Sequence, residues 1–376
     1  MKIKSILEYL ALITVAVLFM LFLDGPGGGY LLIVLVAAAV VSIGLCIYTK
    51  RNITSQLEIS EDILNKGDIV QLSVIVKKSG ILPTAVLTAE FFAGYNFKPK
   101  SSMKVRTVMF GRDECIFRSE YIAEYFGKGK LGLSAFSVSD FLGLCSYRIP
   151  ISQSMLEVKI YPDVPEISSR DNFARSLADA ALFDDSEDTT QSANGFNGTP
   201  GYEHRPYVPG DSLKLINWKL SAKRGELLVR RFENSSGAEQ VFVLDKKGSD
   251  NDTNQLTVEA MLGLVAQFAK TELPVKIIVR FTDIWEEIAV QNLADAAQFR
   301  YKMASYAFSN DNINRFPSSF STDRAVIFSS CADNGLISFM EQKKSSGKNC
   351  SAAVCVGDGK DIWRIEKDNE QIRFVG

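Results

Sequence analysis

The sequence predicts a multidomain protein, in which an N-terminal transmembrane α-hairpin precedes an immunoglobulin-like β sandwich and a C-terminal, Rossmann-like α/β domain. Three observations support this prediction: two long apolar segments at the start of the chain, short alternating strands in its middle, and strands that alternate with helices at its end. The expected limits are residues 1–50 for the hairpin, 51–165 for the sandwich, 166–198 for an acidic and polar connector, 199–239 for a junction block and 240–376 for the α/β domain.

The two apolar segments are separated by a short glycine-rich turn. Residues 5–23 and 30–48 are each about 19 residues long, close to the roughly 20 that cross a bilayer core, and we expect residues 5–48 to contact lipid. Positive residues flank the pair (Lys2, Lys4, Lys50 and Arg51), whereas the turn has none. The positive-inside rule therefore predicts a multi-pass protein with both termini in the cytoplasm. The alternatives are a cleaved signal peptide, which the second segment argues against, and a hairpin buried in a soluble core.

The middle of the chain has the period of β-strands. In residues 70–77 every even position is apolar, and turn sequences stand on both sides of this run. Further short runs at 85–92, 115–121, 130–138 and 156–160 predict more strands. Many short strands at regular spacing are typical of an immunoglobulin-like sandwich.

The end of the chain alternates strands and helices. Residues 240–245, 275–281, 325–329 and 351–356 predict strands, and residues 256–270, 294–308 and 336–343 predict helices. This alternation is typical of a mostly parallel sheet with helices on both faces. Ligand sites in such sheets lie at the carboxyl ends of the strands, which directs attention to Asp245 and to residues 329–333.

Composition excludes several function classes. The 42 basic and 44 acidic residues give a formal net charge of -2, which does not favour nucleic acid as a partner. The 6 cysteines form no C-x-x-C pair and mostly lie in apolar runs, which indicates reduced thiols in a reducing compartment. The single histidine, His204, leaves little room for zinc sites or histidine-assisted nucleophiles. No phosphate-binding loop or dinucleotide fingerprint is present, and we expect no cofactor.

The most distinctive segment runs from residue 202 to residue 224. It resembles the signature of the bacterial family of domain of unknown function 58, in which an acidic residue, an arginine and a tyrosine precede a Gly-Asp turn, a basic residue and an Ile-x-Trp-Lys-x-Ser-Ala run. The positions that match are Glu203, Arg205, Tyr207, Gly210, Asp211, Lys214, Ile216, Trp218, Lys219, Ser221 and Ala222. Lysine replaces the usual arginine at positions 214 and 223. Residues 140–144 also resemble the family's Asp-Pro-Phe-Gly-Leu element, without its proline.

The resemblance implies a bacterial inner-membrane protein whose C-terminal domain is like von Willebrand factor type A. Genes of this family lie beside MoxR-type AAA+ ATPases and membrane proteins, which implies an adaptor or assembly role with such partners and no enzymatic activity. The sequence leaves oligomer formation open. A von Willebrand type A metal site would read Asp-x-Ser-x-Ser after the first strand. Here Asp245 and Ser249 fit this pattern but Lys247 replaces the first serine, so we expect a degenerate site that holds no metal.

The junction block of residues 199–239 contains this signature and is called the signature block from here on. Two interpretations follow from its residues. Tryptophan, tyrosine and arginine are frequent in binding hot spots, so one interpretation is that the block binds a partner. The other, equally weighted interpretation is a charged hairpin that holds two domains together by internal ion pairs. Ile216, Trp218 and Leu220 alternate as in a strand with one buried face, which predicts that Lys219 faces solvent or a partner. A hydrolase with Glu203, His204 and Asp211 in a junction cleft is the alternative function.

Overall fold

The structure, a computed structural model, describes residues 3–22, 27–111, 113–151, 153–168, 171–182, 200–206, 216–232, 240–271, 273–282, 284–309, 315–317, 324–368 and 371–376. The chain divides into two compact units, residues 1–161 and 162–376. Residues 166–182, which the sequence analysis assigned to the connector, contribute a strand and a helix to the second unit.

The first unit begins with two antiparallel helices, α1 (Ile3–Phe22) and α2 (Gly27–Arg51). By length and composition both could cross a membrane. Only 6% of the apolar stretch of α1 and 11% of that of α2 is buried within the protein, which argues against a hairpin in a soluble core. The helices approach closely at Gly28, where an added Cβ would collide with the backbone of Met20.

One stripe of α2 packs on the β domain that follows it. Ser42, Cys46 and Thr49, spaced four and three residues apart, lie on one helix face and are buried. The Thr49 hydroxyl accepts a hydrogen bond from the backbone N–H of Ala85 at 2.9 Å. The Cys46 thiol donates to the carbonyl oxygen of Val138 at 3.8 Å. The C-terminal turns of α2 are therefore bound to the β domain itself.

The β domain of the first unit is a two-layer sandwich. The strands are β1 (Ile53–Ile59), β2 (Ile63–Asn65), β3 (Ile69–Lys78), β4 (Val86–Ala93), β5 (Phe97–Pro99), β6 (Lys104–Thr107), β7 (Glu114–Ala123), β8 (Gly127–Ser139), β9 (Ser146–Arg148) and β10 (Met155–Tyr161). One sheet has the strand order β1-β3-β7-β5, and the other has the order β2-β10-β8-β4-β6 with β9 paired to β8. A single buried apolar cluster contains residues of both sheets, such as Val74 and Phe117 of the first and Leu131 and Phe136 of the second.

The second unit is built on a sheet of the strands β11 (Glu166–Ile167), β14 (Gln240–Leu244), β15 (Val275–Arg280), β16 (Trp285–Val290), β17 (Arg324–Cys331), β18 (Asn349–Val356), β19 (Ile362–Asp368) and β20 (Gln371–Val375). Their order in this eight-stranded sheet is β11-β20-β19-β18-β17-β14-β15-β16. In its centre, the adjacent strands β19, β18, β17, β14 and β15 run parallel to one another. The helices are α3 (Asn172–Leu182), α5 (Asn251–Lys270), α6 (Leu293–Met303) and α7 (Asn334–Ser345).

Helices cover both faces of this sheet. Phe242 and Phe328 contact each other edge-on, and Phe242 packs on Phe268 of α5. Val241 and Val243 point to the opposite face and share a buried cluster with Leu336 of α7. From β14 the chain passes through α5 to β15 and β16 on one side of β14, and then through α6 to β17 on the other side. The strand order thus reverses between β14 and β17, the position at which open α/β sheets form ligand sites.

The signature block contributes a separate two-stranded sheet and a short helix. Strand β12 (Pro200–Pro206) pairs antiparallel with β13 (Leu228–Phe232), with a register shift between Pro200 and His204. Helix α4 (Trp218–Arg224) precedes β13. Tyr207, Gly210, Asp211 and Lys214 lie outside the described residues.

Candidate functional site

Asp245 directly follows β14 at the switch point and is fully buried. Its backbone N–H donates to the carbonyl oxygen of Phe328 at 2.8 Å, which continues the pairing with β17. The Ser329 hydroxyl donates to the Asp245 carboxylate at 2.7 Å, and the backbone N–H of Lys247 donates to it at 3.0 Å. The residues that the carboxyl-end rule indicated therefore converge on one carboxylate.

The principal partner of Asp245 is Arg315, which is 6% exposed. The Arg315 Nε lies 2.8 Å from Oδ1 of Asp245, and Nη2 lies 2.5 Å from its Oδ2. The other side of the guanidinium reaches Asp333, with Nη1 2.7 Å from both carboxylate oxygens. One guanidinium therefore bridges two carboxylates, a geometry that suits its planar set of donors.

Asp333 stands at the start of α7 and has two further partners. Its Oδ1 accepts the backbone N–H of Leu336 at 2.9 Å and caps the helix. The ammonium of Lys247 lies 2.8 Å from its Oδ2. Burial raises the pKa of Asp333, but the hydrogen bonds from Lys247, Leu336 and Arg315 outweigh this and hold the pKa well below its usual value. The carboxyl is therefore ionised at neutral pH.

The four charges at this site balance. Asp245 and Asp333 supply two negative charges, and Arg315 and Lys247 supply two positive charges within hydrogen-bond distance. Burial lowers the pKa of Arg315, yet its contacts with the two carboxylates raise it on balance, so the guanidinium stays charged. We call these four residues the charge cluster. A divalent cation would have to displace Arg315 to reach both carboxylates.

The predicted partner of Asp245 in a degenerate metal site, Ser249, makes its side-chain contact elsewhere. Its hydroxyl donates to Asp250 at 3.3 Å, within the N-terminal turn of α5. In the part of the chain that the structure describes, no group of three or more His, Cys, Asp or Glu side chains is placed to hold a metal ion. The residues do not fit the metal site of a von Willebrand type A domain.

A cysteine and a tyrosine lie next to the charge cluster. Burial and the neighbouring Asp333 raise the pKa of the Cys331 thiol, which disfavours the reactive thiolate. The Tyr306 hydroxyl donates to the backbone carbonyl of Asp245 at 3.1 Å. Burial and the charge of Asp245 raise the pKa of Tyr306 well above its usual value. Neither group has the lowered pKa expected of an activated nucleophile.

The signature helix α4 departs from the sequence prediction. The expected strand with a buried Trp218 is wrong: Trp218 begins a helix and is 62% exposed. Asn217 caps this helix, since its Oδ1 accepts the backbone N–H of Leu220 at 3.2 Å. Gly225 ends it with a φ of 73°, a conformation that glycine adopts readily.

Ser221 attaches the helix to β13. Its hydroxyl accepts the backbone N–H of Leu228 at 2.9 Å, and both residues are buried, as is Ile216. Lys219 is exposed, as the sequence predicted, and Lys223 lies one turn further along the helix and is also exposed. The side chains of Glu203, His204 and Arg205 on β12 are outside the described residues, so their predicted binding or hydrolytic roles stay predictions.

Comparison with known proteins finds one family model that matches part of this region. Residues 203–271 match the family described as "Protein of unknown function DUF58". The match extends from β12 through α4 and β14 to the end of α5, so it includes the signature helix and Asp245. No curated protein matches the chain.

The solved structures that are similar to parts of the chain have low sequence identities and low TM-scores. A cohesin module from the family 33 glycoside hydrolase of Clostridium perfringens is 15% identical over 29% of this chain and 96% of its own, with a TM-score of 0.21. The CARDB domain of a Pyrococcus furiosus protein is 10% identical over 29% of this chain and 87% of its own, with a TM-score of 0.22. An Escherichia coli alpha-2-macroglobulin fragment is 13% identical over 30% and 17%, with a TM-score of 0.25. Nothing about function follows from them.

Proposed function

We propose that this protein is a membrane-anchored adaptor that binds protein partners through its cytoplasmic region and carries out no catalysis. The observation that supports this proposal best is the exposed Trp218 on α4, flanked by the exposed Lys219. An exposed tryptophan beside cationic side chains, on a helix that buried contacts attach to the rest of the domain, is typical of a binding hot spot. The helix lies within the stretch that matches the DUF58 family.

The charge cluster argues against catalysis at the carboxyl ends of the strands in the α/β domain. Its two carboxylates are already bonded by Arg315 and Lys247 and so are not free to act on a substrate. We propose a von Willebrand type A-like domain that binds its partner without a metal ion. The resemblance to the family makes a MoxR-type AAA+ ATPase the candidate partner.

The membrane part of the proposal rests on the exposed apolar surface of α1 and α2. We propose that both helices cross the bacterial inner membrane and that both termini are cytoplasmic. Reporter domains fused before Met1 and after Gly376 test this topology. Cytoplasmic activity of both fusions supports it, and a periplasmic signal from either one would refute it.

The adaptor role is tested by capture of the ATPase. The full chain, purified in detergent, is immobilised and exposed to a purified MoxR-type ATPase from the same cells. We expect Trp218→Ala to reduce capture several-fold and Lys219→Ala to reduce it less. Tyr301→Ala is the matched control, because Tyr301 is an aromatic residue of the same unit that is 52% exposed. Equal capture by Trp218→Ala and Tyr301→Ala would show that the signature helix is not the binding surface.

A further inference from the structure

The loop of residues 140–145, between β8 and β9, is fastened to helix α2. Asp140 is 3% exposed, and its carboxylate accepts the backbone N–H of Cys145 at 2.8 Å and that of Leu142 at 3.2 Å. The Ser42 hydroxyl donates to the same carboxylate at 3.2 Å and accepts the backbone N–H of Phe141 at 3.0 Å. The tip of the loop therefore has a fixed position along α2.

That position coincides with the start of the apolar surface of the hairpin. Gly143 packs against Ser5 of α1, where an added Cβ would lie 3.4 Å from the serine Oγ. The charged side chains of α1, Lys4 and Glu8, belong to the same helical turns and pair at 3.9 Å. Beyond Glu8, α1 is uncharged to its end. The loop thus lies level with the boundary between charged and apolar surface.

The tip of the loop is apolar. Phe141 is 50% exposed, although the loop around it is closely hydrogen-bonded. Leu142 beside it is partly exposed. Phe and Leu side chains are among those that interfacial protein segments bury at the boundary between headgroups and acyl chains. Lys50, the first charged residue of α2 past Ser42, lies eight residues further on, or about 12 Å along the helix axis.

The geometry points to a third membrane contact: Phe141 and Leu142 enter the lipid interface at the base of the hairpin and hold the sandwich against the bilayer surface. This inference rests on the proposed membrane insertion of α1 and α2. It goes beyond anchoring, because a bound loop fixes the orientation of the sandwich, whereas a hairpin alone would leave the domain free to tilt. The occupant of this surface is phospholipid.

Photocrosslinking of the full chain, reconstituted in vesicles of phosphatidylethanolamine and phosphatidylglycerol, tests the contact. The photoreactive p-benzoylphenylalanine replaces Phe141, and lipid adducts are detected by the mass shift of the protein. Phe19 of α1, which is 46% exposed, is the site that reports on hairpin insertion. Tyr95 is the matched control: it is 66% exposed and lies near the opposite end of β8, because the backbone N–H of its neighbour Gly94 donates to Lys130 at 2.8 Å. Lys130 is about 30 Å along the strand from the end of β8 that leads to Phe141.

We expect lipid adducts at Phe141 and Phe19 in similar yield, several-fold above the yield at Tyr95. The same replacement at Leu142 repeats the measurement from the adjacent side chain. Adducts at Phe19 without adducts at Phe141 or Leu142 would overturn the inference and leave the anchor intact. Equal yields at Phe141 and Tyr95 would overturn it too, because the sandwich would then have no preferred orientation. Absence of adducts at all sites would refute membrane insertion itself.

Discussion

The charge cluster and the signature helix are two polar regions of the second unit with opposite designs. At the cluster, Asp245 is fully buried and every charge has a partner within the chain. On α4, Trp218 is 62% exposed, and the residues that fix the helix, Ser221 and Ile216, lie beneath it. A buried and neutralised set of charges is suited to holding a structure, whereas an exposed aromatic side chain with neighbouring lysines is suited to contacting another molecule. The position typical of ligand sites in an α/β sheet therefore need not be the place where this protein binds its partner.

Removing the buried Asp245 carboxylate should produce the largest loss of stability. A small loss would contradict the structural role assigned to the charge cluster. Asp245→Ala leaves Arg315 with one partner in a site that is nearly closed to water. Loss of one member of a buried ion pair costs about 3–5 kcal/mol, and we expect that loss in the free energy of unfolding of the α/β domain, measured by urea denaturation in detergent. Asp358→Ala, at an exposed turn, is the control. If Asp245→Ala lowers the free energy of unfolding no more than Asp358→Ala does, the charge cluster does not stabilise the domain.

Removing the two cations of the cluster should open it to a metal ion. In the double variant Lys247→Ser and Arg315→Ala, Asp245, Asp333 and Ser329 offer oxygen ligands without a competing charge, as Mg²⁺ prefers. We expect Mg²⁺ at tenfold excess over its Kd to stabilise this variant by about 1.4 kcal/mol, seen as a rise in Tm. The unmodified chain should show no such rise. Saturable Mg²⁺ binding by the unmodified chain that Asp245→Ala abolishes would contradict the idea that Arg315 occupies the metal position.

Asp333 makes the cluster sensitive to acid. Because its folded pKa is depressed, its contribution to stability is complete above the unfolded pKa of about 3.9 and is lost as the pH falls toward the folded value. Between pH 4 and pH 3 this loss is about 1 kcal/mol. Urea unfolding at pH 5 and pH 3 should show a smaller acid loss for Asp333→Asn than for the unmodified chain. Identical acid dependence in both proteins would show that the Asp333 contacts do not couple to folding.

Local periodicity was enough to predict most elements of the α/β domain. The buried strand β14 follows from unbroken apolar residues and lies where the sequence placed it. The helix α5 follows from helical spacing, but it begins at Asn251, five residues before the predicted start at residue 256. No strand was predicted after residue 356, although strands β19 and β20 lie in that part of the chain. These strands are half-exposed near one edge of the sheet, and charged residues such as Glu366 and Lys367 interrupt their apolar pattern. The helix predicted for residues 294–308 is shorter in the structure, since α6 ends at Met303.

The candidate site was predictable only in part. The rule of the carboxyl ends located Asp245, Ser329 and Asp333, because strand ends can be read from local sequence. Arg315 was missed, since it lies 70 residues from Asp245 and no local pattern distinguishes this buried arginine from the exposed ones. Trp218 was placed on a strand because residues two apart alternated in polarity. The capping Asn217 and the terminating Gly225 were the signals that would have indicated a short helix.

The smallest expected effect sharpens the contrast between the two regions most directly. Because Trp218 is mostly exposed, Trp218→Ala should change the free energy of unfolding by less than about 0.5 kcal/mol, as exposed substitutions do. Ser221→Ala is the informative partner variant, because it removes the buried acceptor of the Leu228 backbone N–H at the base of the same helix, which costs about 1–3 kcal/mol. Urea denaturation of the two variants separates the role of the helix surface from that of its attachment. A loss of several kcal/mol for Trp218→Ala would mean that the ring is covered in the native protein, and the partner-binding surface would then have to be sought elsewhere on the second unit.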